Sequence, residues 1–285
     1  NCIYGMVGSS GAGKSTLLRI LAGVYKPDSG TAELDGMPIW ENPEAKARIA
    51  YVSDELYYPS GASLKTMADM HSVLYPHFNR RKMLDLAGQL NLDTAKSINT
   101  FSKGMKRQGM TILALSTEPD YIYFDETFDG LDPVIRNYVK KLIVEEMNLR
   151  GASAIITSHS LRELEDTCDQ LALLHKGGVV LESDISKVKT SRFKVQIGFD
   201  HAFSEEDFAG LDITQFKRAG SIANMIISGD REETVARLNA MQPVILDILP
   251  LSLEEVFTYE MQTLGYIFDV NQILDEKSRE RGEIR

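Results

Sequence analysis

Glycines, a lysine and a serine spaced as Gly8-x-x-x-x-Gly13-Lys14-Ser15 are residue types that together hold a polyphosphate. Within the stretch Gly8, Ser9, Ser10, Gly11, Ala12, Gly13, Lys14, Ser15 and Thr16, the glycines permit backbone angles that turn several N–H groups onto phosphate oxygens. The Lys14 ammonium would reach the terminal phosphates and the Ser15 hydroxyl would ligate Mg²⁺. The pattern carries this meaning when a strand enters the loop and a helix leaves it. The apolar run at 3–7 and the stretch "TLLRILAG" supply both, which is the context of a Walker A motif.

Two further sites of chemistry stand at the ends of apolar runs. "YIYFDE" reads as a buried strand that delivers Asp125 and Glu126 at its C-terminal end, where parallel sheets bind ligands. Asp125 fits the Walker B carboxylate that holds Mg²⁺, and Glu126 fits the base that polarises an attacking water. Alone, such a pair reads equally well as a solvated acidic loop. His159 closes "ASAIITSH", a position from which a terminal phosphate could be touched.

The elements that must position these residues follow from pattern and punctuation. Turn clusters in "GVYKPDSGTAELDG" bracket a short strand over 31–34, and "RIAYVSDE" is a strand running into a polar loop at 53–55. Leu64, Met67, Met70, His71 and Leu74, then Met83, Leu86, Ala87 and Leu90, recur at helical spacing and are interrupted by "YPHFN". They predict a helical insert whose methionines and aromatics are core. After His159 come a helix over 163–169 and a hairpin around Gly177 and Gly178.

With 285 residues, 43% apolar and 25% charged, the chain is long enough for one large and one small domain. Cys2 and Cys168 make no disulfide framework or zinc spacing, and a reducing cytosolic compartment is the simplest fit. No run approaches about 18 apolar residues, so no membrane-spanning helix is predicted. A net charge of −10 without a long basic stripe argues against a nucleic-acid partner. No signal-peptide pattern opens the chain, and a first residue of Asn suggests that upstream sequence is absent from this numbering.

Taken in order, the phosphate loop, "VSDE", the helical insert, "FSKGM", "YIYFDE", "DGLD" and "TSH" resemble the nucleotide-binding domain of an ABC ATPase. The resemblance implies an α/β P-loop NTPase fold, a RecA-like core with a helical insert at about 56–115, over residues 1–187. It implies ATP and Mg²⁺ as ligands. Ser102, Lys103 and Gly104 would be the signature that contacts ATP on the opposite subunit, and Asp132 the carboxylate that crosses the dimer interface. A second copy of the chain would sandwich ATP in a two-fold arrangement, binding closing the dimer and hydrolysis opening it.

Departures from the family pattern are specific. Asp54 stands where the family usually has glutamine; an aspartate could ligate Mg²⁺ through water but, ionised, donates no hydrogen bond. The expectation is that its carboxylate lies near Mg²⁺ and links the site to the insert. Lys103 replaces a glycine, and Thr127 follows Glu126 where proline is common. In the family two strands and an adenine-stacking aromatic precede the loop, whereas only seven residues precede Gly8 here, so no stacking residue is nominated and Tyr4 is read as core.

"YVSDE", "VLYPHFN" and "SKGMKRQ" are together similar to the ATPases of bacterial exporters that pair with a separate permease, such as bacitracin-type and phenol-soluble modulin transporters. That implies a peripheral location on the cytoplasmic face of the membrane and a peptide, antimicrobial or other amphipathic cargo. Beyond a polar linker at 183–190, strands and helices alternate as βαββαβ, with helices at 205–209, 230–241 and 252–261. This order predicts a small α+β ferredoxin-like unit over 191–264, followed by a charged tail at 265–285. A soluble ABC ATPase acting on ribosomes or DNA is the alternative; one motif set and a short insert weigh against it. A P-loop kinase would leave the signature and His159 without a role.

Overall fold

The computed structural model describes residues 1–185, 192–249 and 251–257. They divide into one unit over Asn1–Glu182 and a second that begins at Ser183. In chain order the first contains β1 (Ile3–Val7), α1 (Lys14–Leu21), β2 (Glu33–Leu34), β3 (Met37–Pro38), α2 (Pro43–Ala47) and β4 (Ile49–Val52). The insert follows as α3 (Leu64–Leu74), α4 (Arg80–Gln89) and α5 (Lys103–Ser116). The chain then returns through β5 (Tyr121–Asp125), α6 (Pro133–Arg150), β6 (Ser153–Ser158), α7 (Leu161–Glu165), β7 (Gln170–His175) and β8 (Gly178–Asp184).

The sheet order is β4-β5-β6-β1-β7-β8, with β1 parallel to β6 and β7, and β5 parallel to β4 and β6. Helices cover the strands, so β5 and β6 read as nearly continuous apolar runs. α1 packs near β5 over a cluster of Met6, Leu18, Ile49 and Tyr123, while α5 lies against β4. Register decides what meets at the sheet's C-terminal edge. Val7 pairs with Ser158 and Asp125 with Thr157, so the chain leaves β1, β5 and β6 side by side.

Several sequence-based boundaries shift, each for a local reason. The strand expected over 31–34 narrows to Glu33–Leu34, paired with Met37–Pro38 across a turn at Asp35 and Gly36, both with positive φ; beyond it a single further bond, Ile39 N to Ala32 O at 3.0 Å, continues the pairing. The helix expected over 163–169 ends at Glu165, since Asp169 is claimed by the sheet: its N–H donates to Ile3 O and its Oδ2 accepts from Ile3 N. The hairpin is present, a two-residue turn at Lys176 (φ 48°) and Gly177 (φ 82°), both left-handed as such turns require. In the insert, Leu64, Met67, Met83, Leu86, Ala87 and Leu90 are buried. Met70 and Leu74 are 44% and 60% exposed, which corrects their reading as core; they flank the buried stripe towards the end of α3. Ser63 caps α3 reciprocally with Thr66, and Asn79 caps α4 after the predicted break.

In the second unit, β9 (Arg192–Gly198), β10 (Asp212–Ala219), β11 (Ile222–Ser228) and β12 (Ile245–Leu249) form an antiparallel sheet of order β10-β11-β9-β12. The helix expected at 205–209 is a 3-10 turn over Glu205–Phe208, closed by Ser204 and Asp207. The next, α8 (Arg231–Ala240), begins behind its Asp230 cap. One face of the sheet buries Val195, Ile197, Met225 and Ile227 with Leu238 of α8. On the other, Ile226 meets Leu251 and Val256, and the helical residues 253–257 include buried Leu253 and Phe257. The linker expected from 183 begins inside β8; its residues 186–190, Met261 and the tail at 265–285 lie outside the described residues. Among the described residues no helix is long and apolar enough to cross a membrane.

Candidate functional site

The loop that leaves β1 is shaped by close backbone approach. A Cβ on Gly8 would stand 2.4 Å from Leu174 O, so only glycine fits there, and Gly13 adopts φ 101° immediately before α1. Ala12 and Ser9 are buried, and Ala12 N donates to Ser9 O at 3.1 Å, closing the turn. Lys14 folds back over the loop, its Nζ donating to Gly8 O at 2.7 Å and Ser9 O at 3.2 Å. At the foot of α1, Ser15 Oγ donates to Asp125 Oδ1 at 3.0 Å.

Asp125 and Glu126 are adjacent in sequence yet face different partners. Asp125, wholly buried, also accepts from Thr157 Oγ1 at 2.8 Å and from the Tyr51 hydroxyl at 3.4 Å. The carboxylate of Glu126 lies between Lys14 Nζ, 3.3 Å from Oε1, and His159 Nδ1, 2.9 Å from Oε2. Burial would raise the Glu126 pKa, but the hydrogen bond from His159 and the charge of Lys14 outweigh it and hold the carboxyl below its ordinary value. An acid so placed is ionised at neutral pH. It can accept a hydrogen bond from a water and orient it, and is a weak proton sink.

The structure thus brings together Lys14, Ser15, Asp125, Glu126 and His159, which sequence spacing alone left 145 positions apart. The serine hydroxyl and Asp125 carboxylate are hard oxygen donors of the kind Mg²⁺ takes. Among the described residues no group of three or more His, Cys, Asp or Glu side chains is arranged for a metal ion, so phosphates and water would complete such a shell.

The remaining sequence candidates gather elsewhere. Ser102 is the N-cap of α5, accepting from Met105 N at 3.2 Å; Lys103 Nζ pairs with Asp129 at 2.7 Å, and Gly104 lies under Gly130, where a Cβ would come within 3.2 Å of its carbonyl oxygen. Asp132 caps α6, its Oδ1 accepting from Val134 N and Ile135 N, both at 3.1 Å. Asp54 is engaged by Arg107, whose Nη2 donates to Oδ1 at 2.6 Å. The Tyr4 ring packs against the core as expected, and its hydroxyl donates to Glu182 at 2.7 Å.

Three contributors escaped the sequence reading: Arg107, Thr157 and Tyr51. Arg107 is 1% exposed and one helical turn before buried Thr111. A cation on the buried stripe of "KGMKRQGMTILALS", opposite the odd aspartate of "VSDE", was the available signal. Thr157 was in view in "TSH", but only its histidine was used.

The ABC transporter family profile matches residues 1–129. ABC transporter ATP-binding protein YtrB of Bacillus subtilis is 30% identical over 259 residues, covering 90% of this chain and 87% of that protein. Bacitracin transport ATP-binding protein BcrA of Bacillus licheniformis is 30% identical over 191 residues, 66% of this chain and 62% of that protein. Among solved structures, an ATP-binding subunit of an ABC transporter superposes with a TM-score of 0.61 at 25% identity, covering 66% of this chain and 80% of that one. The ATP-binding cassette MJ0796, a dimer in a post-hydrolysis state with ADP and Pi, shares the fold, with a TM-score of 0.58 at 21% identity over 65% of this chain and 85% of that one.

Proposed function

The chain belongs to the ABC transporter ATP-binding family, and from that premise we propose how its residues divide the work of an ATPase that drives a separate permease. The chain is an ATP-hydrolysing motor subunit with the P-loop α/β fold of that family. Gly8 to Thr16 cradle the phosphates, with Lys14 on the terminal ones. Ser15 and Asp125 hold Mg²⁺, which when bound neutralises charge that develops on the phosphates. Glu126 orients the attacking water and His159 holds the far side of its carboxylate. Ser102, Lys103 and Gly104, with Asp132, serve a nucleotide held by a second copy of the chain, an arrangement supported by the dimeric relative of the same fold. We read the second unit as ferredoxin-like on its strand order and as an accessory to the motor.

The observation that carries this reading is the splitting of two neighbouring acids: Asp125 takes the Ser15 hydroxyl while Glu126 is held between Lys14 and His159. Export of an amphipathic antimicrobial is the cargo class we favour, on the likeness to a bacitracin transport ATPase. The test is Glu126→Gln. It should lower ATP turnover by about a hundredfold or more, the size of a lost general base, while ATP binding persists and an ATP-bound dimer accumulates on gel filtration. Hydrolysis near the wild-type rate would remove Glu126 from this role.

A further inference from the structure

Glu126 is the first residue beyond β5 and has φ 50°, a left-handed conformation that a non-glycine residue adopts only where its surroundings impose it. The surroundings are visible at the peptide that joins Asp125 to Glu126. Its carbonyl oxygen accepts from Arg107 Nη1 at 3.3 Å, and its N–H donates to Thr157 Oγ1 at 3.1 Å. In a trans peptide these two groups point in opposite directions. Arg107 on α5 and Thr157 on β6 therefore grip one peptide plane from its two ends.

The grip has its own supports. Thr157 is fully buried, and its hydroxyl hydrogen is spent on Asp125 Oδ1, which leaves the oxygen lone pairs to receive the Glu126 N–H. The guanidinium of Arg107 is almost wholly buried and is anchored by Asp54, with a second, longer contact from Nη1 to Ser53 O at 3.4 Å. A buried guanidinium is held in place by its planar fork of donors, which a lysine lacks.

We propose that Arg107 and Thr157 are positioning residues that clamp the Asp125–Glu126 peptide and so aim the Glu126 carboxylate. This rests on the reading of Glu126 as the group that orients the attacking water. The torsions on either side of a peptide decide where the next side chain points, and a misplacement of about 1 Å at a reacting centre costs up to about a hundredfold in rate. Asp54 acquires a defined task in this arrangement: its carboxylate fixes the position of the guanidinium fork that holds the peptide. Because Arg107 sits on the helix capped by Ser102, a shift of α5 would reach Glu126 through one hydrogen bond.

The test uses the full chain with Mg-ATP. Thr157→Val keeps the shape and removes both hydrogen bonds, whereas Thr157→Ser keeps the hydroxyl. Thr157→Val should lower kcat about tenfold to a hundredfold with KM and binding of a fluorescent ATP analogue unchanged, and Thr157→Ser should restore kcat to within about threefold. In a Glu126→Gln background, Thr157→Val should lower the residual single-turnover rate no further, because the clamp then has no base to aim. Arg107→Lys should lower kcat in the same way and serves if the valine variant does not fold. Wild-type kcat in folded Thr157→Val and Arg107→Lys proteins overturns the clamp. So does a defect that excess Mg²⁺ repairs, which would route Thr157 through the metal carboxylate, or an equal loss in both backgrounds, which would make it structural. If Glu126→Gln itself hydrolyses ATP normally, it is the assignment of Glu126 that falls.

Discussion

The first unit and the unit beginning at Ser183 are built on different principles. In the first, the informative contacts are polar and join residues far apart in the chain: Ser15 to Asp125, Lys14 to Glu126, Arg107 to both Asp54 and Asp125. In the second, the sheet is held by apolar burial on both faces, Met225 and Ile227 on one and Ile226 on the other. Polar convergence specifies geometry, because each donor has a direction and each unmet buried partner carries a penalty. Apolar burial specifies stability and is nearly non-directional. The contrast teaches that chemistry and stability should respond to different substitutions in this molecule.

The largest effect on that contrast comes from packing. Met225→Ala empties the middle of β11 and should destabilise the second unit by about 2–5 kcal/mol, read as a lowered unfolding midpoint in urea. ATP turnover at a temperature where the protein stays folded should be unchanged. A parallel fall in kcat would break the comparison, since chemistry would then depend on the second core.

An intermediate effect is expected at the border between polar geometry and stability. Asp54→Ala strips a buried guanidinium of its carboxylate and should cost about 1–3 kcal/mol, the penalty of a buried group left unmet. It should also weaken stimulation of ATP hydrolysis by the permease more than it weakens Mg-ATP binding. Unchanged stimulation would return Asp54 to the role of a loop residue that pairs with Arg107 and nothing more.

The smallest effect is on acid stability. The Glu126 pKa is lower in the folded chain than its ordinary value of 4.5, so on acidification the unfolded chain takes up the proton first. The contribution to stability is present above that value and is lost as pH falls through the folded pKa. The drop in stability below pH 4.5 should therefore be shallower in Glu126→Gln than in wild type, by urea titration at a series of pH values. An identical slope would mean that Lys14 and His159 do not favour the charged form.

Much of the site was legible before any coordinates, for a physical reason. Gly8, Gly13, Lys14 and Ser15 fall within one short stretch, and their meaning depends on a strand and a helix that adjoin it, so local sequence contains the whole device. Asp125, Glu126 and His159 were legible because each ends an apolar run, and ligands gather at strand ends. Helix caps were less so: Asp132 was assigned a role across a dimer, and the structure adds its local task at the start of α6. Met70 and Leu74 show the limit of periodicity, which finds the apolar stripe of α3 and cannot tell which flank another element covers.

By itself, the sequence determined the strand, glycine loop and helix around Gly8 to Ser15, the helical insert, and which carboxylates and histidine stand at the ends of strands. Those features are set by backbone freedom, hydrophobic period and side-chain chemistry, all of which act over a few neighbouring residues. Only the tertiary structure decided which partners those residues have. Arg107 reaches Asp54 and the Asp125 carbonyl across 53 and 18 positions, and Thr157 reaches Glu126 across 31. Such contacts depend on sheet register and on where α5 comes to rest, and neither is encoded in any single stretch of the chain.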